Sequence, residues 1–115
     1  MPVRLKGIEE NFKFIVLEVS KQLEDTRRLL VDSRPELMTK INSRDDYIDT
    51  LKNLIEAKCF STKARTKAET DYLRAVDIIT RNLEKIGDYA VTIVKQTTYF
   101  TQPDFAGRYN FSAFF

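Results

Sequence analysis

The chain has 115 residues, with 19 Lys and Arg against 17 Asp and Glu, a net charge of +2, and a hydrophobic fraction of 43%. That describes one domain with a modest core, and so even a charge balance makes no case for nucleic acid. There is no His and a single Cys, which removes the commonest general base, any intrachain disulfide and any thiolate zinc site, so that a metal here would have to be held by oxygen.

With only 3 Gly and 3 Pro beside 31% charged residues, the composition favours long helices lapped by solvent. No segment approaches the ~18 consecutive apolar residues of a membrane span. The opening Met1-Pro2-Val3-Arg4 lacks the apolar core of a signal peptide, and a lone Cys suits a reducing compartment. The expectation is a soluble, cytoplasmic chain.

Taken in order, the first helix is predicted over residues 5–31. Ile8, Phe12, Ile15, Val19, Leu23, Thr26 and Leu30 recur at steps of three and four. Phe14, Val16 and Leu17 widen its apolar face, which predicts contact on more than one side. Asp32-Ser33-Arg34-Pro35 then breaks the pattern: Asp32 or Ser33 is placed to cap a second helix, and Pro35 suits a first turn. That helix is predicted over 36–60 on the stripe Leu37, Ile41, Asp45, Ile48, Leu51, Ile55 and Cys59, one position of which is an aspartate. Phe60 to Lys67 reads equally as a short loop or a frayed helix end. A third helix is predicted over 68–100 on Tyr72, Val76, Ile79, Leu83, Ile86, Ala90, Ile93 and Thr97. The fold class expected is all-α, an up-down-up antiparallel three-helix bundle filling residues 1–101. From Tyr99 onward aromatics crowd together, at Phe100, Phe105, Tyr109, Phe111, Phe114 and Phe115. The expectation is that the tail, 102–115, packs on the bundle or leads into a further domain.

Two acidic spacings carry the candidate chemistry. Asp45 and Asp49 on the second helix, and Glu84 and Asp88 on the third, are each four residues apart. Such pairs share a helix face and repel one another by a few tenths of a kcal/mol, and a hard cation between them reverses the sign. The same spacing is also ordinary on a solvated face, and Arg44, Lys52, Arg81 and Lys85 are near enough in sequence to neutralise it. Two details bear on the choice. Asp45 occupies a position in the apolar stripe, where an uncompensated charge is costly. Gly87 interrupts a long helix at a cost of about 1 kcal/mol relative to Ala, and is a candidate for close approach of another helix. Asn82 and Tyr89 flank the second pair as candidate hydrogen-bond donors to it. Cys59 reads as a small buried apolar residue. The basic stretches Arg27-Arg28 and Lys63-Ala64-Arg65-Thr66-Lys67 suit helix ends, or peripheral contact with an acidic partner or membrane surface.

On the third helix, Leu73-Arg74-Ala75 followed by Asn82-Leu83-Glu84-Lys85-Ile86-Gly87-Asp88-Tyr89-Ala90-Val91 resembles the PhoU family of phosphate-uptake regulators, and Arg44-Asp45-Asp46-Tyr47-Ile48-Asp49 resembles the family's preceding acidic helix. The resemblance spans roughly residues 5–96 and is sharpest on the third helix. It implies a single three-helix repeat whose acidic motifs, here Asp45, Asp49, Glu84 and Asp88, bind a multinuclear metal cluster. Iron or zinc is the metal implied, with manganese or magnesium also compatible. It implies a regulator of phosphate uptake and phosphate-responsive signalling and not an enzyme, acting through a phosphate transporter or a sensor histidine kinase. Family members usually carry two such bundles in tandem. One bundle here implies a fragment, or a homo-oligomer in which a second copy replaces the missing repeat. Tyr72 stands where the family has an acidic residue, with Asp71 beside it. Two other readings stay open: a helical adaptor or dimerisation domain without metal, and a cytoplasmic accessory domain of a sodium–phosphate or potassium transporter. No nucleophile–base constellation and no phosphate-cradling glycine loop supports an enzyme.

Overall fold

The computed structural model describes residues 3–32 and 34–100, with side chains described through Gln96. The expected tail at 102–115, the Ser33 cap and the stripe position Thr97 lie outside the described residues or side chains. A 3₁₀ turn at Val3–Leu5 leads into α1 (Lys6–Val31), followed by α2 (Pro35–Ser61) and α3 (Lys67–Phe100). Each helix packs on both others, and the short connections at 32–34 and 62–66 reverse the chain twice, so α2 runs antiparallel to α1 and α3 in the all-α three-helix bundle expected.

The connections follow local chemistry. Pro35 sits in the first turn of α2 as expected, but Asp32 does not cap that helix. Asp32 ends α1 instead: its N–H donates to the Arg28 carbonyl at 2.8 Å and its carboxylate accepts from Arg34 Nε at 2.7 Å. Phe60 and Ser61 complete α2, so the Ser/Thr/Lys-rich stretch is a short loop and not a frayed end. The Thr62 hydroxyl closes α2 on the Lys58 carbonyl at 2.6 Å. Thr66 and Glu69 open α3 as a capping pair: the Glu69 N–H donates to Thr66 Oγ1 at 3.1 Å, and the Glu69 carboxylate accepts from the Arg65 N–H at 2.9 Å. Arg4 also binds Glu69 and donates to the Lys63 carbonyl, so the 3₁₀ turn is clamped to this loop.

The α2 stripe matches expectation. Leu37, Ile41, Ile48, Leu51 and Ile55 are buried, and Asp45 and Cys59 are half-buried within it. The other two stripes do not hold throughout. On α1, Leu23 is exposed, while Gln22 and Asp25 turn inward beside the expected Thr26, and Leu29 replaces Leu30 as the buried leucine. On α3, Ile79, Ile86 and Ile93 are exposed, and the buried row is Leu73, Val76, Thr80, Gly87, Ala90, Val91 and Val94. The physical reason is that both helices carry apolar side chains on two faces, and period alone does not say which face meets the bundle.

The core is accordingly in two parts. One cluster is built on Leu5, Ile8, Ile15, Val19, Ile48, Leu51, Ile55, Leu73 and Val76. The other joins Leu29, Leu37, Ile41, Val91 and Val94 near the α1–α2 turn. Between them in sequence on α1 and α2 lies a polar belt. Arg44 Nη1 donates to Asp25 Oδ2 at 2.7 Å and to Gln22 Oε1 at 3.1 Å, and Arg44 Nε stands 3.5 Å from Glu18 Oε2. Gln22 Nε2 donates in turn to the Ile41 carbonyl at 2.8 Å. Arg44 and Asp25 retain only 13% and 10% side-chain exposure, so the pair is nearly desolvated, and the further contacts to Gln22 and Glu18 offset part of that cost. Removing the guanidinium leaves the nearly buried Asp25 with only Arg28, at 3.7 Å, and Glu18 with only Lys21, at 3.3 Å. Arg44→Ala is expected to lower unfolding stability by about 3 kcal/mol, more than Glu24→Ala on the exposed side of α1, as read by urea denaturation.

Candidate functional site

Arg44 and Asp45 are neighbours in sequence, and the 100° turn between successive helical residues separates their roles. Arg44 faces α1, whereas Asp45 faces α3. There the Asp45 carboxyl meets Asp88 closely enough for the two to share a hydrogen bond, with Asp46 and Asp49 near by. Glu84 hydrogen-bonds with the same Asp88 and also feels Asp49. The four acids read from the two spacings are therefore brought into one patch across the α2–α3 seam. Each spacing alone places two carboxylates on a helix; only the packing makes four neighbours of them.

The electrostatics are those of a crowd of like charges. Burial, then the hydrogen bond and charge of Asp88, push the Asp45 pKa up from 3.8 to about 6. Glu84 is raised for the same two reasons, burial first, against an opposing pull from Lys52. Lys52 is the compensating cation. Its Nζ lies 3.4 Å from Asp49 Oδ1, and although desolvation disfavours its charge, Asp49, Glu84 and Glu56 outweigh that and raise its pKa. Lys52 is one of the four cations expected near the acidic pairs, and its position three residues after Asp49 is the usual reach of an ion pair on a helix. Of the other expected cations, Arg44 is turned to Asp25 of α1, and Arg81 is engaged with Asp77 at 2.6 Å and Glu56 at 3.3 Å. That pairing lies on a shallow groove of about 610 Å³ between α2 and α3, also lined by Cys59, Leu73 and Arg74.

The flanking residues differ from expectation. Asn82 is exposed two residues before Glu84, a rotation of about 200° that turns it to the far side of α3. Tyr89 is exposed as well, and among the described residues neither side chain hydrogen-bonds to the carboxylates. Gly87 is buried where α3 meets Ile48 of α2, as a close-approach residue should be, yet a methyl group added there would stand 3.5 Å from Ile48 Cδ1, an ordinary contact. The approach does not require glycine. Cys59 is half-buried, and burial raises its thiol pKa, which keeps it protonated and inert. Among the described residues, no group of three His, Cys, Asp or Glu side chains stands arranged to hold a metal ion, and no helix is long and apolar enough to cross a membrane.

Two outcomes follow from this geometry. A carboxyl whose folded pKa exceeds its unfolded value binds more protons when folded, so its contribution to stability is greatest at low pH and is lost as pH rises. For Asp45 that loss falls between about pH 4 and pH 7, passing through its pKa of about 6. Asp45→Asn is expected to flatten the melting temperature over that window in metal-free buffer and to raise it at pH 7. Gly87→Ala is expected to stabilise the bundle by up to about 1 kcal/mol through helix propensity, measured by thermal or urea unfolding.

Set against known proteins, a family model described as the PhoU domain matches residues 15–97. No curated protein and no solved structure gives a significant match.

Proposed function

The chain belongs to the PhoU family, and from that premise we propose that it is a regulator of phosphate uptake whose acidic patch holds a metal cluster. The family is a regulatory one, and the patch gives the regulator something to respond to. In this reading Asp45, Glu84 and Asp88 are the principal donors, and Asp49 joins them when Lys52 releases it. Iron or zinc is the metal proposed, with manganese and magnesium as the competitors that an all-oxygen donor set also accepts. Bound there, a cation supplies the positive charge that the patch lacks.

One observation carries the reading. Carboxylates from two helices converge where burial and mutual repulsion raise the pKa of Asp45 and of Glu84, with Lys52 the cation acting on Glu84 and Asp49. A protein with no use for that crowding gains nothing from it, since like charges so placed cost stability. The donor chemistry fits a hard or borderline cation. The resting side chains do not form a ready three-ligand set, so binding includes their adjustment; Asp49 and Asp88 are exposed and Glu84 is half-buried, which leaves them room to move. We take the partner to be a phosphate transporter or a sensor histidine kinase, with the metal fixing the α2–α3 surface presented to it. The same lack of a ready ligand set favours a second reading, in which the domain is a helical adaptor whose patch is balanced by Lys52 alone.

Elemental analysis of untagged, desalted protein separates the two. The wild type is expected to retain iron, zinc or manganese in stoichiometric amount, or to take it up on titration with a rise in melting temperature. Asp45→Asn/Asp88→Asn, equally helical by circular dichroism, is expected to lose at least about tenfold in affinity. A wild type that stays metal-free through titration with all four ions establishes the adaptor reading instead.

A further inference from the structure

α3 is apolar twice over. Its inward row follows steps of three and four through Leu73, Val76, Thr80, Leu83 and Gly87, and meets α1 and α2. A second row in steps of four and three, Ala75, Ile79, Asn82, Ile86 and Tyr89, points out of the bundle. It is a heptad seam of about 21 Å without a charged residue, although 31% of the chain is charged. Ile79, Ile86 and Tyr89 are 44%, 40% and 67% exposed. The neighbouring helix carries a matching row at the same spacing, Glu9, Lys13, Val16, Ser20, Leu23 and Arg27, in which Val16 and Leu23 are 40% and 48% exposed. Because α1 and α3 are adjacent and parallel, the two rows form one face with an apolar seam on α3 and charged ends on α1.

We propose that this face is the interface between two copies of the chain, packed with α3 antiparallel to α3 and α1 antiparallel to α1 about a two-fold axis. The residues argue for that occupant and that direction. Turning α3 about Asn82 sets Asn82 against its own copy and small Ala75 against large Tyr89, with Ile79 within one residue of Ile86, so each seam fills the other. A polar residue in an otherwise apolar seam is a register device, since only one alignment lets two such side chains bond to each other. On α1 the same operation, centred at residue 18, sets Glu9 against Arg27 and Val16 against Ser20, with Lys13 close to Glu24 of the second copy. Opposite charges meet at both ends, whereas a parallel pairing of α1 with α1 sets Glu9 on Glu9 and Arg27 on Arg27. The two centres fall at one height: Tyr72 of α3 stands near Glu9 of α1, and residues 82 and 18 lie ten and nine residues beyond them. A self-complementary patch of this kind closes as a two-fold dimer. The acidic patch lies on the α2–α3 side and stays open in the pair, so this inference does not depend on the metal reading.

Light scattering on a sizing column, over a concentration series, tests it. The wild type is expected at twice the chain mass of 13.4 kDa. Ile86→Asp and Tyr89→Glu, each with helicity verified by circular dichroism, are expected at the single mass. Glu9→Arg and Arg27→Glu are each expected to raise the dimer Kd several-fold at low salt, and the double swap to restore it. For direction, cysteines are placed in a Cys59→Ala background: Ala75→Cys is expected to form a disulfide with Tyr89→Cys in a mixture and not with itself. A monomeric wild type overturns the proposal, as does a dimer that survives both seam variants. Self-linking of Ala75→Cys overturns it in favour of a parallel pair. If the wild type is monomeric but a chain ending at Phe100 dimerises, the face is covered by the chain's own last residues, and the proposal fails for the full chain.

Discussion

The desolvated Arg44 guanidinium is the constraint on which the arrangement of this bundle depends. A helix with apolar residues on more than one side can be rotated without an obvious hydrophobic penalty, because burial is not directional. A hydrogen-bonded charge is directional. Arg44 reaches Glu18, Gln22 and Asp25 of α1 at once, and Gln22 closes the circuit on the Ile41 carbonyl of α2. Rotating α2 by one residue would bury that charge without partners. The latch thereby sets Ile41 and Ile48 into the core on either side of it and delivers Asp45 to α3.

The same belt explains why the acidic patch sits where it does. The core is interrupted between its two clusters, and the interruption is where α2 and α3 bring their carboxylates together. Full burial of four acids is prohibitive. At the lip of the seam Asp45 and Glu84 are half-buried and Asp49 and Asp88 exposed, which raises pKa values without collapsing the fold. Thr80, one turn before Glu84, shows the cost of polarity at this level: its hydroxyl is the buried side-chain group left without a hydrogen-bond partner among the described residues. Polarity at this level is thus a strain that the apolar clusters above and below offset.

The bundle also divides its surface by chemistry. The α2–α3 side gathers charge: the acidic patch, Lys52, and the Arg81 pairing with Asp77 and Glu56. The α1–α3 side is comparatively apolar, with Val16, Leu23, Ile79, Ile86 and Tyr89 exposed. Charged and apolar surfaces thus lie on opposite flanks of one long helix, α3.

By itself the sequence determined the helices, their ends to within a residue, the three-helix class and the two acidic pairs, because each of these is a local property of spacing, breakers and charge. The α2 stripe was legible in full, Asp45 included, because Leu37, Ile41, Ile48, Leu51 and Ile55 follow one helical spacing that the packing keeps. On α1 and α3 the reading placed Leu23, Ile79 and Ile86 inside when they lie outside, because a helix with two apolar rows satisfies the same period twice. Which row turns inward was decided only when three helices packed together, with Arg44 choosing its partners on α1. The same packing turned two pairs of acids into one patch, left Asn82 and Tyr89 on the far side of α3, and gave Gly87 a contact with Ile48 that an alanine would fill. These are relations between residues distant along the chain, and local periodicity carries no information about them.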